Sequence, residues 1–275
     1  MTSVRRPAVA GSFYPSDPRQ LAAQVEHLLD DAGAVRRDAP PKALPKALPK
    51  ALPKALIVPH AGYIYSGPVA ARAYAAVRPL KGRVRRVVLL GPAHYVPLQG
   101  LAAPAAQAFD TPLGRLEVDL EALGRISDLP QVMVDDRPHL PEHALEVQLP
   151  FILAALGPVD FLPLVVGRCT AGQIAEVLER LWGGPETLIV VSSDLSHYES
   201  YATARRMDAA TTRAIEALRP EDIGRDDACG RVPIQGLLRA SRRYGLRPHT
   251  LDVRNSGDTA GPRDAVVGYG AWAFS

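Results

Sequence analysis

Cysteine is scarce: only Cys169 and Cys229 occur in 275 residues. Two thiols exclude a disulfide framework and fit a reducing compartment, so a cytoplasmic location is expected. No apolar run approaches the ~18 residues of a membrane span, and residues 1–7 carry arginines without a following apolar segment of signal-peptide length. Gly-x-Gly-x-x-Gly after a strand, the P-loop and the Gly-x-Ser-x-Gly elbow are also missing, which removes the usual support for dinucleotide, nucleotide and serine-hydrolase chemistry. Charge of one sign is lacking too. The net charge is +3, with arginine spread along the chain in nothing larger than short pairs such as Arg85-Arg86. A solvated surface explains that pattern, and neither nucleic acid nor membrane is an expected partner.

What remains has the composition of a globular protein, 47% apolar and 22% charged. Four tandem Pro-Lys-Ala-Leu copies run from Pro41 to Leu56. Proline every fourth residue forbids a continuous helix, so residues 41–54 read as a low-complexity insertion within one domain of residues 1–275. A helix capped by Ser16 or Asp17 precedes it. Beyond it, strand-like runs at 55–59, 86–91, 131–134, 160–166, 187–193, 248–254 and 264–273 alternate with helical patterns at 67–78, 119–128, 143–156, 170–182, 200–218 and 231–244. Several strands are continuously apolar, as expected when helices cover both faces. The expectation is a three-layer α/β/α sandwich with a mostly parallel or mixed central sheet. Residues 92–118 are less regular, with room for short extra strands.

Three of the seven histidines follow strand-like runs: His60 after 56–59, His94 after 87–93 and His197 after 188–196. Open α/β sheets bind ligands beyond the carboxyl ends of their strands, and neutral imidazole is the commonest protein ligand for a transition metal. Each histidine also has a plainer reading as a loop residue bonded to backbone. Asp194, three residues before His197, is read as a metal ligand, as a partner that orients the imidazole, or as a helix cap. Cys229 precedes a predicted helix, whose N-terminus would lower the thiol pKa and favour thiolate; a small buried residue is the plain alternative. Cys169 is assigned to that plain class. His139-Leu140-Pro141-Glu142-His143 matches the inverted zincin string, but Pro141 argues against one helix carrying all three ligands. His143 and Glu146 share a helix face and could form an acid/base pair.

Seven ordered motifs carry a resemblance: 6–15 (Arg-Pro-Ala-Val-Ala-Gly-Ser-Phe-Tyr-Pro), Pro59-His60-Ala61-Gly62-Tyr63, Gly91-Pro92-Ala93-His94, Thr111-Pro112-Leu113-Gly114, 142–150 (Glu-His-Ala-Leu-Glu-Val-Gln-Leu-Pro), 192–197 (Ser-Ser-Asp-Leu-Ser-His) and Cys229-Gly230-Arg231. Together they resemble the Memo family, whose bacterial and archaeal members are called AmmeMemoRadiSam system protein B. The proline-rich repeat and Val232 depart from the family pattern. The resemblance implies the fold of class III extradiol dioxygenases and a metal site of His60, His94 and Cys229, with Asp194 and His197 lining the same pocket. It associates the site with iron or copper, and the protein with Ammecr-domain and radical SAM proteins. A eukaryotic member is described as a phosphopeptide-binding adaptor.

The resulting expectation is a non-haem metalloprotein, Fe(II) first, copper second and zinc third. Two imidazoles and a thiolate are too soft a set for Mg or Ca. His197 would act as acid/base with Asp194 orienting it, while Tyr63, Glu142, His143 and Arg231 shape the pocket. The expected reaction is oxidation of a small molecule of dioxygenase type. One alternative is a non-enzymatic redox adaptor binding a peptide or partner protein. Another is a metal hydrolase using His139 and His143. A homodimer is expected on base rate alone.

Overall fold

Four apolar runs with no alternation form the centre of the sheet. In the computed structural model, which describes residues 3–38 and 52–275, they are β2 (Ala55–Val58), β9 (Thr187–Ser192), β3 (Arg86–Pro92) and β8 (Asp160–Val166). They pair in parallel in that order, and nearly every residue in them is buried. A strand covered on both faces has no solvent side, so the sequence shows no period of two. Antiparallel strands close the flanks. β12 (Val266–Phe274) joins β2 and carries β11 (Pro248–Asn255) and β10 (His197–Glu199); β4 (Leu101–Ala103) joins β8 and carries β7 (Val132–Val134) in parallel. The nine strands make a mixed sheet of an α/β fold. β1 (Val4–Arg5), β5 (Ala108–Thr111) and β6 (Gly114–Glu117) form a separate small sheet, which with β4 accounts for the irregular 92–118 region.

Helices α1 (Pro18–Asp38), α2 (Tyr63–Val77) and α5 (Leu149–Leu156) pack together on one side of the sheet; α6 (Ala171–Arg180), α7 (Tyr201–Glu216) and α8 (Arg231–Tyr244) cover the other. Three helices differ from the sequence expectation. α2 starts at Tyr63, ahead of Gly67-Pro68, because Pro68 forfeits only the bond to Ile64, itself largely solvent-exposed. α3 is confined to Leu120–Gly124, capped by the Asp119 carboxylate on Ala122 N–H. The predicted 143–156 helix is two: α4 (His143–Glu146) and α5, whose second residue is Pro150. Proline there cannot donate to the Glu146 carbonyl, so the chain turns at Val147-Gln148. Residues 41–51 of the repeat lie outside the described residues.

The parallel order β2-β9-β3 puts the ends of three strands side by side, and His60, the 193–197 loop and His94 leave from one edge. Two glycines let other elements close on that edge. A Cβ at Gly91 would lie 2.8 Å from the Leu145 side chain, where α4 crosses the end of β3. A Cβ at Gly230 would lie 2.6 Å from Ser193 Cβ and 2.9 Å from the Ser192 carbonyl, so only glycine lets the Cys229 loop reach β9.

His139 sits away from this edge. It is 2% exposed, its Nε2–H donates to the Ala102 carbonyl at 3.0 Å, and its ring meets Phe109 edge-on. Burial holds its pKa down at about 4, and the nearby Arg5 cation adds to this. An unfolded chain takes up that proton near pH 6.5, whereas the folded protein refuses it until about pH 4. Stability from this residue is therefore complete above pH 6.5 and is lost as pH falls toward 4, by on the order of 3 kcal/mol. Urea unfolding at pH 7 and pH 4.5 should show this loss in the wild type and a smaller one in His139→Gln; equal losses in the two would refute the assignment.

Candidate metal centre

His60 follows Pro59 directly off β2 and is 2% exposed. Its Nδ1 lies 2.9 Å from Ser192 Oγ. Ser192 spends its one hydroxyl proton on the Ala144 carbonyl (2.6 Å) and accepts from Gln148 Nε2 (2.8 Å). Its Oγ is left only as an acceptor toward the imidazole, so Nδ1 of His60 carries the proton and Nε2 presents a lone pair. That Nε2 is 3.3 Å from Cys229 Sγ.

His94 reaches the same state by a different route. Glu142, almost fully buried, accepts from His94 N–H at 2.7 Å and from His94 Nδ1 at 2.9 Å. A carboxylate can only accept, so Nδ1 is the protonated nitrogen and Nε2 is free. Burial works against the Glu142 charge, yet the bonds from His94 and Ala144 hold its pKa below the ordinary value. His94 and His60 rings meet edge-on at 5.2 Å.

Donor atoms of His60, His94 and Cys229 all lie within 4.8 Å of one another. A tetrahedral ion with ~2.0–2.3 Å bonds wants its ligands about 3.3–3.8 Å apart, and the 3.3 Å Sγ–Nε2 separation meets this. His94, Glu142 and His143 also fall within 4.8 Å of one another. Hydrogen bonding already accounts for part of that second group, since the Glu142 carboxylate is taken up by two backbone N–H groups and His94 Nδ1.

The sequence expectation for Cys229 is reversed in one respect. Gly230, not Cys229, caps α8, and burial pushes the thiol up to about 12, with the Asp194 carboxylate adding to the rise. Desolvation outweighs the helix N-terminus. A bound cation is what would turn this sulfur into a thiolate, and the Asp194 N–H aimed at Sγ from 3.3 Å is ready to support that charge. Cys169 lies 3.7 Å from the Gly167 carbonyl and takes no part in the centre.

Asp194 acts on backbone rather than on His197. Its Oδ1 accepts from His60 N–H at 2.7 Å, fixing the loop that carries the first imidazole. Burial lifts its pKa to about 7 against the bonds from His60 and Ala61. His197 gives Nδ1–H to the Leu195 carbonyl (2.8 Å), again leaving Nε2 free, and burial lowers its pKa. It stands close enough that its charge would disfavour protonation of His60, but it lies outside the ligand group.

His143 stacks on His94 at 4.7 Å and has Tyr95 Oη 3.2 Å from Nδ1. Burial drops its pKa to about 4. It does not pair with Glu146, which turns inward to Arg5, Tyr14 Oη (2.7 Å) and the Ala8 and Val9 N–H groups. Tyr63 also faces inward: its hydroxyl donates to the Val147 carbonyl at 2.7 Å and its ring packs on Phe151. Arg231 lines the cleft in front of His94 and Cys229. His139 belongs to neither ligand group, so the zincin string is not assembled among the described residues. Sequence reading missed Ser192 and Gln148. Their signals were membership of the 192–197 and 142–150 motifs and polarity at the end of an apolar strand and in an apolar helical segment, none of which assigned them a role.

With this geometry in hand, the chain can be set beside known proteins. A family model described as Memo-like protein matches residues 5–273. A MEMO1 family protein of Sulfolobus acidocaldarius is 35% identical over 285 residues, covering 97% of either chain. A MEMO1 family protein of Pyrobaculum aerophilum is 37% identical over 292 residues, covering 98% of this chain and 99% of its own. The crystal structure of an uncharacterised Escherichia coli K12 protein matches with a TM-score of 0.51 over 81% of this chain and 99% of that one; at 13% identity the likeness is of fold alone. A family model matched over residues 5–273 and identity above one third across nearly the full length make this chain a member of the Memo-like protein family.

Proposed function

We propose that the protein is a non-haem metalloprotein in which His60 Nε2, His94 Nε2 and Cys229 Sγ hold iron(II) or copper, and that it oxidises an organic small molecule. The observation carrying this reading is the meeting of three donor atoms within 4.8 Å, with both imidazole tautomers set by buried partners. Two borderline imidazoles and one soft thiolate fit those metals and disfavour magnesium or calcium. A bound ion of this kind would supply one-electron chemistry and open positions for dioxygen or a substrate oxygen.

The remaining roles fall to protein groups. Glu142 and Ser192 orient the imidazoles and raise their basicity as ligands. Asp194 fixes the His60 backbone and supports the sulfur charge through its own N–H. His197 would take a proton from a substrate hydroxyl; its lowered pKa and its free Nε2 support that role. The buried floor under His60 keeps bulk water away from one side of the site.

Protein reconstituted with Fe(II) without oxygen should hold one equivalent, and His60→Ala and Cys229→Ala should each lose it in metal analysis after desalting. Stoichiometric metal in both variants rejects the ligand set. Glu142→Gln and Ser192→Ala keep all three donors but loosen their orientation, and chelator competition should report affinity lower by roughly 10–100-fold. Wild-type affinity in both would remove the orienting role. Oxygen consumption with a catechol panel tests the oxidative step, and its absence in fully loaded protein favours a non-enzymatic role.

A further inference from the structure

Beside the centre lies a cleft of about 700 Å³ with His94 and Cys229 on its wall. Arg168, Arg225 and Arg231 line it as well. Elsewhere some arginines are paired, Arg5 with Glu146, Arg86 with Asp119, Arg180 with Asp128 and Arg254 with Asp252, while others are not. Among the described residues, none of the three cleft arginines has a carboxylate or any other side-chain partner, although their backbones are fixed. Arg168 N–H donates to the Leu98 carbonyl at 2.9 Å and its carbonyl accepts from Gly100 at 2.8 Å; Arg231 N–H donates to Ala228 at 3.2 Å. Arg225 lies inside the turn that Gly224 N–H closes on the Asp227 carboxylate at 2.6 Å. Leu98, Val166 and Val232 supply apolar wall between them.

We infer that this cleft takes an organic anion, a carboxylate or phosphoryl group on an apolar body, with the anionic end on Arg168, Arg225 and Arg231 and the body directed to His94 and Cys229. Guanidinium is the side chain best shaped to grip either oxyanion through two parallel N–H bonds. Three such cations line one cleft with no carboxylate among its lining residues, so the cleft offers an oxyanion a positive field. The apolar wall gives a small hydrophobic body a place to sit, which favours an organic anion over a bare inorganic ion. The inference rests on the metal-centre reading, because it names the substrate class for that same site.

The test is calorimetric titration of metal-free protein with benzoate, phenyl phosphate, benzamide and inorganic phosphate, with Fe(II) stoichiometry measured in parallel. Benzoate or phenyl phosphate should bind at least tenfold more tightly than both benzamide and inorganic phosphate, and comparing the two shows which oxyanion is preferred. Arg168→Gln and Arg231→Gln should each weaken the better ligand roughly tenfold with the melting temperature kept, and Arg168→Gln/Arg225→Gln provides the same reading should Arg231→Gln not fold. Benzamide or inorganic phosphate binding as well as the organic anions, or arginine variants binding like wild type, overturns the inference. A full equivalent of Fe(II) alongside that result leaves the metal centre standing. Arginine-dependent binding with no Fe(II) bound sinks the metal centre and leaves the anion cleft.

Discussion

Seven consecutive residues, 142–148, hold the site together through three buried polar side chains. Glu142 fixes His94, Gln148 fixes Ser192 and through it His60, and Glu146 ties Arg5 and Tyr14 to the same turn. The helix in the middle of this segment has four residues, too few to be stable alone. It persists because its ends are bonded to three other parts of the chain and because Gly91 lets it lie on the end of β3. A buried carboxylate such as Glu146 is costly unless its acceptor capacity is met. Here four donors meet it: an arginine, a tyrosine and two backbone N–H groups. The constraint that shapes the imidazoles is therefore also one that anchors the N-terminal strand.

The layered fold was legible in the sequence because its signals are local. Unbroken apolar runs gave the four central strands almost to the residue, and helical periodicity gave α6, α7 and α8. The short pieces were legible only in part: residues 92–118 left room for the strands that are β4, β5 and β6 without placing them, and β10 and the α4–α5 break gave no signal. β4, β5, β6 and β10 draw their stability from neighbours distant in sequence, and the break between α4 and α5 depends on the single missing N–H of Pro150. Among site residues, His60, His94 and His197 stood out by position after strands and Cys229 by its place before a helix, and the family motifs joined His60, His94 and Cys229 into one ligand set.

What one sequence could not reveal was partnership. Asp194 three residues before His197 suggested a bonded pair, yet the turn sends its carboxylate to the His60 backbone and gives the imidazole to the Leu195 carbonyl. His143 and Glu146 share a helix spacing but face different neighbours. The state of Cys229 was misjudged for a physical reason: proximity to a helix start favours thiolate, but burial beside a carboxylate opposes it more strongly. Such outcomes are set by solvent access, which local sequence does not encode.

The proposed function depends on sulfur and two imidazoles sharing one ion. X-ray absorption at the metal edge of the Fe(II)-loaded protein measures this directly. One sulfur scatterer at about 2.3 Å with at least two imidazole nitrogens at about 2.0–2.2 Å is the predicted result, the sulfur vanishing in Cys229→Ala. A shell of nitrogen and oxygen alone in the wild type would contradict it.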